Sequence, residues 1–357
     1  MAIAGADPAA VRRAIRAGTP LSGLDGFAGD LDGRLVRDVL GRYPLFSDGD
    51  DPRSWSFDPT DLADPMSVPA GHVRGTDGDR RAWTLPDPEP IADDAGAVSA
   101  VRSAVSEAVD AVCDPIPVAF SGGLDSSILA ARLEGPLYVG GFEGARDLAT
   151  ARSAAAALGR DLRVVEFSHD DIERAVPTVV GATGRSDPTD VRIALCLYLV
   201  AEAVAADGHD RIAVGQGADE LFGGYAKVAN APENDRTAAG TVRGAARETV
   251  RALPEQFERD VLTLRAAGVE PVAPLAADRV VGAALSLPGS LLAAGDERKI
   301  ALRRAADFLP GSIRCREKKA VQYGSLLARE FDRLARRAGF KRRMDDHLGR
   351  YVESLLP

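Results

Sequence analysis

Apolar and polar positions follow two different patterns along this chain, and the clearer one begins near Gly96. Valines at positions 98, 101, 105, 109 and 112 recur every three or four residues, which predicts an amphipathic helix. Short apolar runs then alternate with helical stretches: we predict strands at 116–120, 137–141, 162–167 and 211–215, and helices at 147–158 and 191–206. This alternation is typical of an α/β fold in which helices cover both faces of a parallel sheet.

Residues 1–92 show the second pattern. Their apolar pieces are short (34–36, 44–46 and 82–85), and Asp-Gly pairs that favour turns recur at 25–26, 32–33, 48–49 and 77–78. This predicts a small β-rich region. The run PDPEP at 86–90 has the composition of a linker, so we expect two domains, 1–92 and 93–357.

Composition narrows the functional classes. Of the 357 residues, 45% are hydrophobic and 27% are charged, as in an ordinary globular protein, and no apolar run is long enough for a membrane span. Residues 1–18 lack the basic-then-apolar pattern of a secretory signal, so we expect a cytoplasmic protein that does not bind membranes. The net charge of −9 disfavours a nucleic-acid partner. Three cysteines and four histidines are scattered, so neither a disulfide framework nor a zinc site is predicted.

The first chemical motif is PVAFSGGLDSS at 117–127, where a predicted strand ends in two glycines. Glycines there allow backbone N–H groups to face outward together, and a following helix adds its positive end, which makes a cradle for phosphate. A carboxylate beside phosphates usually holds Mg²⁺. An ordinary tight turn is the alternative interpretation. The residues expected at the phosphates are Ser121, Gly122, Gly123, Asp125, Ser126 and Ser127.

The second motif is VGQGADELFGGY at 214–225, which also follows a predicted strand. Asp219 is expected to share one edge of the sheet with Asp125, so that the two carboxylates hold one Mg²⁺. Glu220 has two interpretations of equal weight, a catalytic group or a residue that only stabilises the start of a helix.

Together the two motifs resemble the synthetase domain of class B asparagine synthetases, members of the PP-loop ATP pyrophosphatases. The resemblance covers roughly residues 95–330. It implies ATP and Mg²⁺ as cofactors, and aspartate and ammonia as substrates. Asparagine would form through a β-aspartyl-AMP intermediate, with release of AMP and pyrophosphate. The segment RCREKKAVQYG (314–324) resembles a late motif of the family, which implies that Lys318 lies on the departing pyrophosphate. The resemblance also adds residues to the nucleotide site: Val139, Gly140, Gly141, Phe142, Gly215 and Gly217.

The sequence departs from that family in two places. Residues 37–46 and 68–83 resemble parts of its N-terminal glutaminase domain, but no cysteine precedes Cys113, although that glutaminase uses an N-terminal cysteine. We therefore expect no glutamine hydrolysis, and ammonia from solution or from a separate glutaminase. The second departure is Gln216, where glutamine-dependent members usually carry a glutamate. An amide cannot act as a base, although it can orient a carboxylate or ammonia by hydrogen bonding.

Three alternatives stay open. The chain is an adenylating ligase for another acid, an enzyme that modifies tRNA bases, or a non-catalytic paralogue that binds ATP. A base-modifying enzyme usually carries cysteine pairs or a basic RNA-binding region, which this sequence lacks. Arg192 is a weak candidate for the α-carboxylate of the acid, because a bidentate arginine suits a carboxylate.

Overall fold

The structure is a computed structural model that describes residues 2–231, 239–316 and 321–357. The chain divides into two compact units, and each is made of three separate stretches. The first unit comprises Met1–Cys113, Gly215–Glu258 and Ala273–Phe308, and the second comprises Asp114–Val214, Arg259–Val272 and Leu309–Pro357. These units do not coincide with the predicted segments 1–92 and 93–357. That division of the chain into domains stays a prediction.

The N-terminal region is β-rich, as predicted. Its strands are β1 (Ala2–Ala4), β2 (Ala28–Leu31), β3 (Arg34–Arg37), β4 (Phe46–Asp48), β5 (Asp51–Ser56), β6 (Pro65–Ser67), β7 (His72–Gly75) and β8 (Gly78–Arg81). They form two antiparallel sheets with the orders β1-β2-β3-β7-β8 and β5-β4-β6. One of the predicted Asp-Gly turns joins β2 to β3: Asp32 and Gly33 both have a positive φ.

Buried arginines tie this β-rich region to helical parts of the first unit. Arg42 is 9% exposed and forms ion pairs with Asp38 and with Asp278, whose Oδ1 lies 2.5 Å from Arg42 Nη2. Arg37 is 2% exposed and pairs with Glu258 at 3.0 Å. The two side chains cross from the β-rich region to residues more than 200 positions later. These ion pairs therefore join the β-rich region to later residues of the first unit.

The second unit contains a parallel sheet, which confirms the predicted α/β class. Its strands are β9 (Val118–Ala119), β10 (Leu137–Gly141), β11 (Leu162–Glu166), β12 (Arg211–Ala213) and β13 (Glu270–Val272), in the order β11-β10-β9-β12-β13. The four strands predicted from apolar runs are present, and three of them are shorter than expected. The sequence analysis missed β13, which has three residues, contains Pro271 and pairs with β12 at the edge of the sheet. A two-stranded hairpin of the first unit adds β14 (Ala293–Ala294) and β15 (Glu297–Arg298).

Helices make up most of the remaining described residues. They are α1 (Pro8–Ala17), α2 (Asp94–Asp110), α3 (Leu124–Ala130), α4 (Arg146–Leu158), α5 (His169–Thr183), α6 (Pro188–Ala206), α7 (Ala218–Leu221), α8 (Ala226–Ala229), α9 (Val242–Arg251), α10 (Leu253–Ala266), α11 (Asp278–Leu285), α12 (Gly289–Leu292), α13 (Ile300–Ala305), α14 (Gly311–Arg314), α15 (Val321–Gly324), α16 (Leu327–Arg337) and α17 (His347–Ser354). Helix α6 begins three residues earlier than predicted, because Asp187 caps it and Pro188 occupies its first position. Within the described ranges, no helix is long and apolar enough to cross a membrane.

Two adjacent glycines show that helices cover both faces of the parallel sheet. Successive residues of a strand face opposite sides. A Cβ on Gly140 would lie 2.6 Å from Val200 of α6, whereas a Cβ on Gly141 would lie 3.4 Å from Leu148 of α4. Helices α6 and α4 therefore pack against opposite faces of β10, which confirms the predicted arrangement.

Candidate functional site

The predicted phosphate loop lies directly after β9, at the carboxyl edge of the parallel sheet. Phe120 N donates to Tyr138 O of β10, so the sheet pairing continues one residue beyond β9 before the loop begins. Gly122 has a φ of +72°, and a Cβ there would lie 2.8 Å from Thr150 O and 2.9 Å from Ala151 Cα of α4. Both the backbone angle and the close approach of α4 require glycine at this position.

Hydroxyl groups cluster around this loop. Ser121 is exposed, and its Oγ lies 3.3 Å from Ser126 Oγ, which also approaches Gly123 O at 3.4 Å. Ser127 is fully buried, and its Oγ has no hydrogen-bond partner among the described residues. Asp125 is half-buried in the first turn of α3. A buried hydroxyl without a partner beside a glycine turn is what a site that awaits a polar ligand would contain.

The segment predicted to hold adenine, Val139–Phe142, already uses several of its backbone groups. Phe142 N donates to Ser325 O (3.1 Å), Gly141 O accepts from Phe167 N (3.0 Å), and Phe142 O accepts from Ala145 N (3.0 Å). A carbonyl has a second lone pair, but an N–H group makes one good hydrogen bond. Val139 and Gly140 lie in the paired register of β10 with β11. The carbonyls at 141 and 142 each keep a second lone pair that could accept a hydrogen bond from adenine.

The late motif is anchored at both ends to the same neighbourhood. Arg316 Nη1 donates to Gly122 O (3.0 Å) and to Thr150 O (3.1 Å). At the other end, a Cβ on Gly324 would lie 2.0 Å from Asp147 Oδ1 of α4, so the carboxylate occupies the space that a side chain would need. Lys318, predicted to contact pyrophosphate, lies outside the described residues.

Residues 215–225 of the second motif lie in the first unit, where Asp219 forms a buried ion pair with Lys299. Lys299 Nζ lies 2.8 Å from Asp219 Oδ1, and the two side chains are only 6% and 12% exposed. Gly224 is in contact with both: a Cβ there would lie 2.1 Å from Asp219 Oδ1 and 2.6 Å from Lys299 Cε. Sequence reasoning missed Lys299. The rarity of lysine could have drawn attention to it, because only five of the 44 basic residues are lysine.

Glu220 is buried and forms hydrogen bonds with neighbouring residues of the first unit. It is 4% exposed, its Oε1 accepts a hydrogen bond from the Tyr225 hydroxyl, and its backbone oxygen accepts one from Thr249 Oγ1 (3.0 Å). These contacts favour the interpretation that Glu220 stabilises the motif, and its catalytic role stays a prediction. Gln216 is half-buried, and Gly217 has a φ of +85° at the start of α7.

The predicted site residues thus fall into two groups. The loop at 121–127 and the segment 139–142 belong to the second unit, whereas 215–220 belong to the first. Arg316, which was not a predicted site residue, also belongs to the second unit. The shared metal site of Asp125 and Asp219 therefore stays a prediction. Among the described residues, no three His, Cys, Asp or Glu side chains are close enough to hold one metal ion. Arg192 bonds within its own helix, to Pro188 O (2.7 Å) and Thr189 Oγ1 (3.3 Å), which favours a local role for it.

Comparison with known proteins identifies the family. The model of the asparagine synthase family matches residues 100–266 and 243–351. A putative glutamine-hydrolysing asparagine synthetase 1 of Methanocaldococcus jannaschii is 30% identical over 273 residues, which are 66% of this chain and 50% of the relative. Asparagine synthetase 1 of Arabidopsis thaliana, named glutamine-hydrolysing, is 29% identical over 59% of this chain and 39% of its own length.

One alignment covers more of the chain than the two above. Asparagine synthetase B of Escherichia coli, also named glutamine-hydrolysing, is 26% identical over 85% of this chain and 61% of its own length. Residues 100–357 make up less than 85% of the 357-residue chain, so this alignment must include residues before position 100. The chain spans about half the length of the curated relatives that it matches. The origin of residues 1–92 from a glutaminase-like domain stays a prediction.

Proposed function

This chain belongs to the asparagine synthase family, and we propose that it is an ATP-dependent ligase that makes asparagine from aspartate and ammonia. The observation that carries the proposal is the loop at 121–127. It follows a parallel strand, it requires glycine at 122, and it holds a fully buried serine hydroxyl at 127 that has no partner among the described residues. These features fit the phosphates of ATP.

We assign the following roles to the residues. The loop N–H groups and the hydroxyls of Ser121, Ser126 and Ser127 bind phosphate oxygens. Asp125 and Asp219 are the proposed protein ligands of Mg²⁺, an ion that proteins often hold through one or two carboxylates and the substrate phosphates. Mg²⁺ bound there would neutralise phosphate charge. Lys299 holds Asp219 in place through their ion pair.

The proposed reaction has two steps. The β-carboxylate of aspartate attacks the α-phosphorus of ATP, which forms β-aspartyl-AMP and breaks the bond to pyrophosphate. Lys318 stabilises the charge that develops on the departing pyrophosphate. Ammonia then attacks the acyl carbon and displaces AMP, which leaves asparagine. Gln216 orients a reacting group by hydrogen bonding and takes no proton.

The proposed nitrogen source is ammonia. Residues 1–112 contain no cysteine, so the nucleophile that a family glutaminase uses is absent from them. We expect the 357-residue chain to use ammonium salts and to release no glutamate from glutamine. In the cell, a separate glutaminase is a proposed partner.

A ligase for another acid is the second candidate. Gln216 favours it, because this position departs from the glutamate of the glutamine-dependent members. The described part of the chain also offers no assigned anchor for the α-carboxylate of aspartate, since Arg192 bonds to Pro188 and Thr189.

The experiment is a product assay on the purified chain. ATP, Mg²⁺ and ammonium chloride are supplied with aspartate or with each of a panel of acids, and AMP, pyrophosphate and amide are quantified. We expect equimolar AMP and asparagine with aspartate. AMP release with a different acid alone would establish the second candidate, and ATP binding without AMP release from any acid would refute both.

A matched pair of variants tests the loop. Asp125→Asn should lower AMP release by roughly 10²–10³-fold, the usual loss when a charge-stabilising group is removed. Asp161→Asn is the control, because Asp161 is an exposed carboxylate of the same unit, and it should stay within twofold. Equal activity of the two variants would contradict the role of Asp125.

A further inference from the structure

We propose that Arg316 is a positioning residue of the phosphate loop: it fixes the peptide unit between Gly122 and Gly123 so that the Gly123 N–H can donate to a phosphate oxygen of ATP. The inference rests on the proposed function, because it takes the loop to be an ATP site. Arg316 is assigned no contact with the reacting atoms.

The first argument is the geometry of one nitrogen. Arg316 Nη1 donates to Gly122 O at 3.0 Å and to Thr150 O at 3.1 Å. One guanidinium thus joins the loop to α4. These two carbonyls lie 194 and 166 positions from Arg316 in the sequence, so the contact is formed by the fold alone.

The second argument follows from the planarity of the peptide bond. The carbonyl of Gly122 and the N–H of Gly123 belong to the same trans peptide unit, and the two groups point in opposite directions. When Arg316 holds the carbonyl, the N–H must face away from Arg316. On that side lies the exposed Ser121, whose Oγ is 3.4 Å from Gly123 N. This distance is beyond the usual range of a strong N–H···O bond, so the N–H remains able to donate to a ligand.

The third argument is that this peptide unit needs an external restraint. It joins two glycines, and Gly122 has a φ of +72°. Glycine populates many backbone conformations, so a loop made of two of them is not held by its own stereochemistry. Close packing of Gly122 against Thr150 and Ala151 restricts one side of the loop, and Arg316 fixes the direction of its carbonyl.

The test compares three substitutions. Arg316→Met removes both hydrogen bonds and the charge. Arg316→Lys keeps the charge, and an ammonium group has three donors with which to reach the two carbonyls. Arg152→Met is the matched control, because Arg152 is an exposed arginine on α4, two positions after Thr150. Each protein is titrated with the α,β-methylene analogue of ATP and Mg²⁺ by calorimetry, which requires no turnover.

We expect Arg316→Met to weaken binding of the analogue at least tenfold, or about 1.4 kcal/mol, while Arg316→Lys stays within about threefold and Arg152→Met is unchanged. In the steady state, the KM for ATP should rise by the same factor as the Kd. The kcat and the KM for the acid should change less than threefold. In the absence of ligand, hydrogen exchange of Arg316→Met should be faster than that of wild type in peptides that cover 120–127. It should be unchanged in those parts of the second unit that contact neither residue 316 nor its acceptors Gly122 and Thr150.

Specific outcomes would overturn the inference. It falls if Arg316→Met binds the analogue as tightly as Arg152→Met does, or if the KM values for ATP and acid rise equally, which would indicate general loosening of the structure. It also falls if wild type binds no analogue. If wild type binds the analogue but forms no amide, and Arg316→Met still weakens binding tenfold, the proposed function fails and the role of Arg316 stands.

Discussion

Replacing Lys299 by methionine tests how much the first unit depends on the ion pair with Asp219. The substitution removes the ammonium group and keeps an unbranched side chain. Lys299 already has a φ of +57°, so the backbone strain of a non-glycine residue there is the same before and after the change. The Asp219 carboxylate, 12% exposed, would lose the cation that lies 2.8 Å away. Breaking a buried ion pair by removing one partner typically costs about 3–5 kcal/mol.

Urea unfolding followed by tryptophan fluorescence measures this cost. Both tryptophans, Trp55 and Trp83, belong to the first unit, as do Lys299 and Asp219. With a typical slope of about 2 kcal/mol per molar urea, the midpoint should fall by about 1.5–2.5 M. The double variant Lys299→Met/Asp219→Asn removes both charges of the pair, and it should recover more than half of the loss.

Lys227→Met is the matched control. Lys227 is exposed in the same unit, and its ammonium lies over the Tyr225 ring at 5.6 Å. Exposed contacts of this kind contribute about 0.5–1 kcal/mol, so the midpoint should move by at most about 0.5 M. If Lys299→Met shifted the midpoint no further than Lys227→Met does, the pair would not be a buried support of the motif, and the reasoning would be refuted.

Three further predictions concern the second unit. The hydrogen bond from Arg342 is the main cause that lowers the pKa of Asp332 to about 2. The stability that this carboxylate gives is present above pH 4–5 and is lost as the pH falls toward 2, so the melting temperature of wild type should fall more steeply over that range than that of Asp332→Asn. Parallel curves of melting temperature against pH would contradict this. Burial raises the pKa of the Cys196 thiol to about 12. In native protein at pH 8, a thiol reagent should therefore modify the two exposed cysteines and leave Cys196 unmodified until denaturant is added. Rapid modification of all three cysteines in native protein would contradict this. Lys318→Ala should lower pyrophosphate release at least a hundredfold and Lys319→Ala only a few-fold, because the family motif assigns the pyrophosphate contact to Lys318 alone. The reverse order would mean that the late motif is shifted by one residue.

The sequence by itself determined the elements and the motifs whose cause is local. The alternation of apolar runs and helical stretches predicted the parallel sheet, and the predicted strand at 137–141 has the same bounds as β10. The loop after β9 was predictable because glycines at the end of a strand have a local consequence, seen in the positive φ of Gly122. The family followed from two short motifs for the same reason, since each is a continuous run of residues.

The tertiary structure alone decided which distant residues serve those motifs. Lys299 directly follows the β14–β15 hairpin and pairs with Asp219, and Arg316 donates a hydrogen bond to Gly122, which lies 194 positions earlier. It also decided that Asp125 and Asp219 fall in different compact units, and that β13 completes the sheet although its run contains Pro271. Periodicity and turn chemistry act over a few residues, whereas these contacts depend on how whole elements pack. No pattern within a single stretch of the chain therefore specifies them.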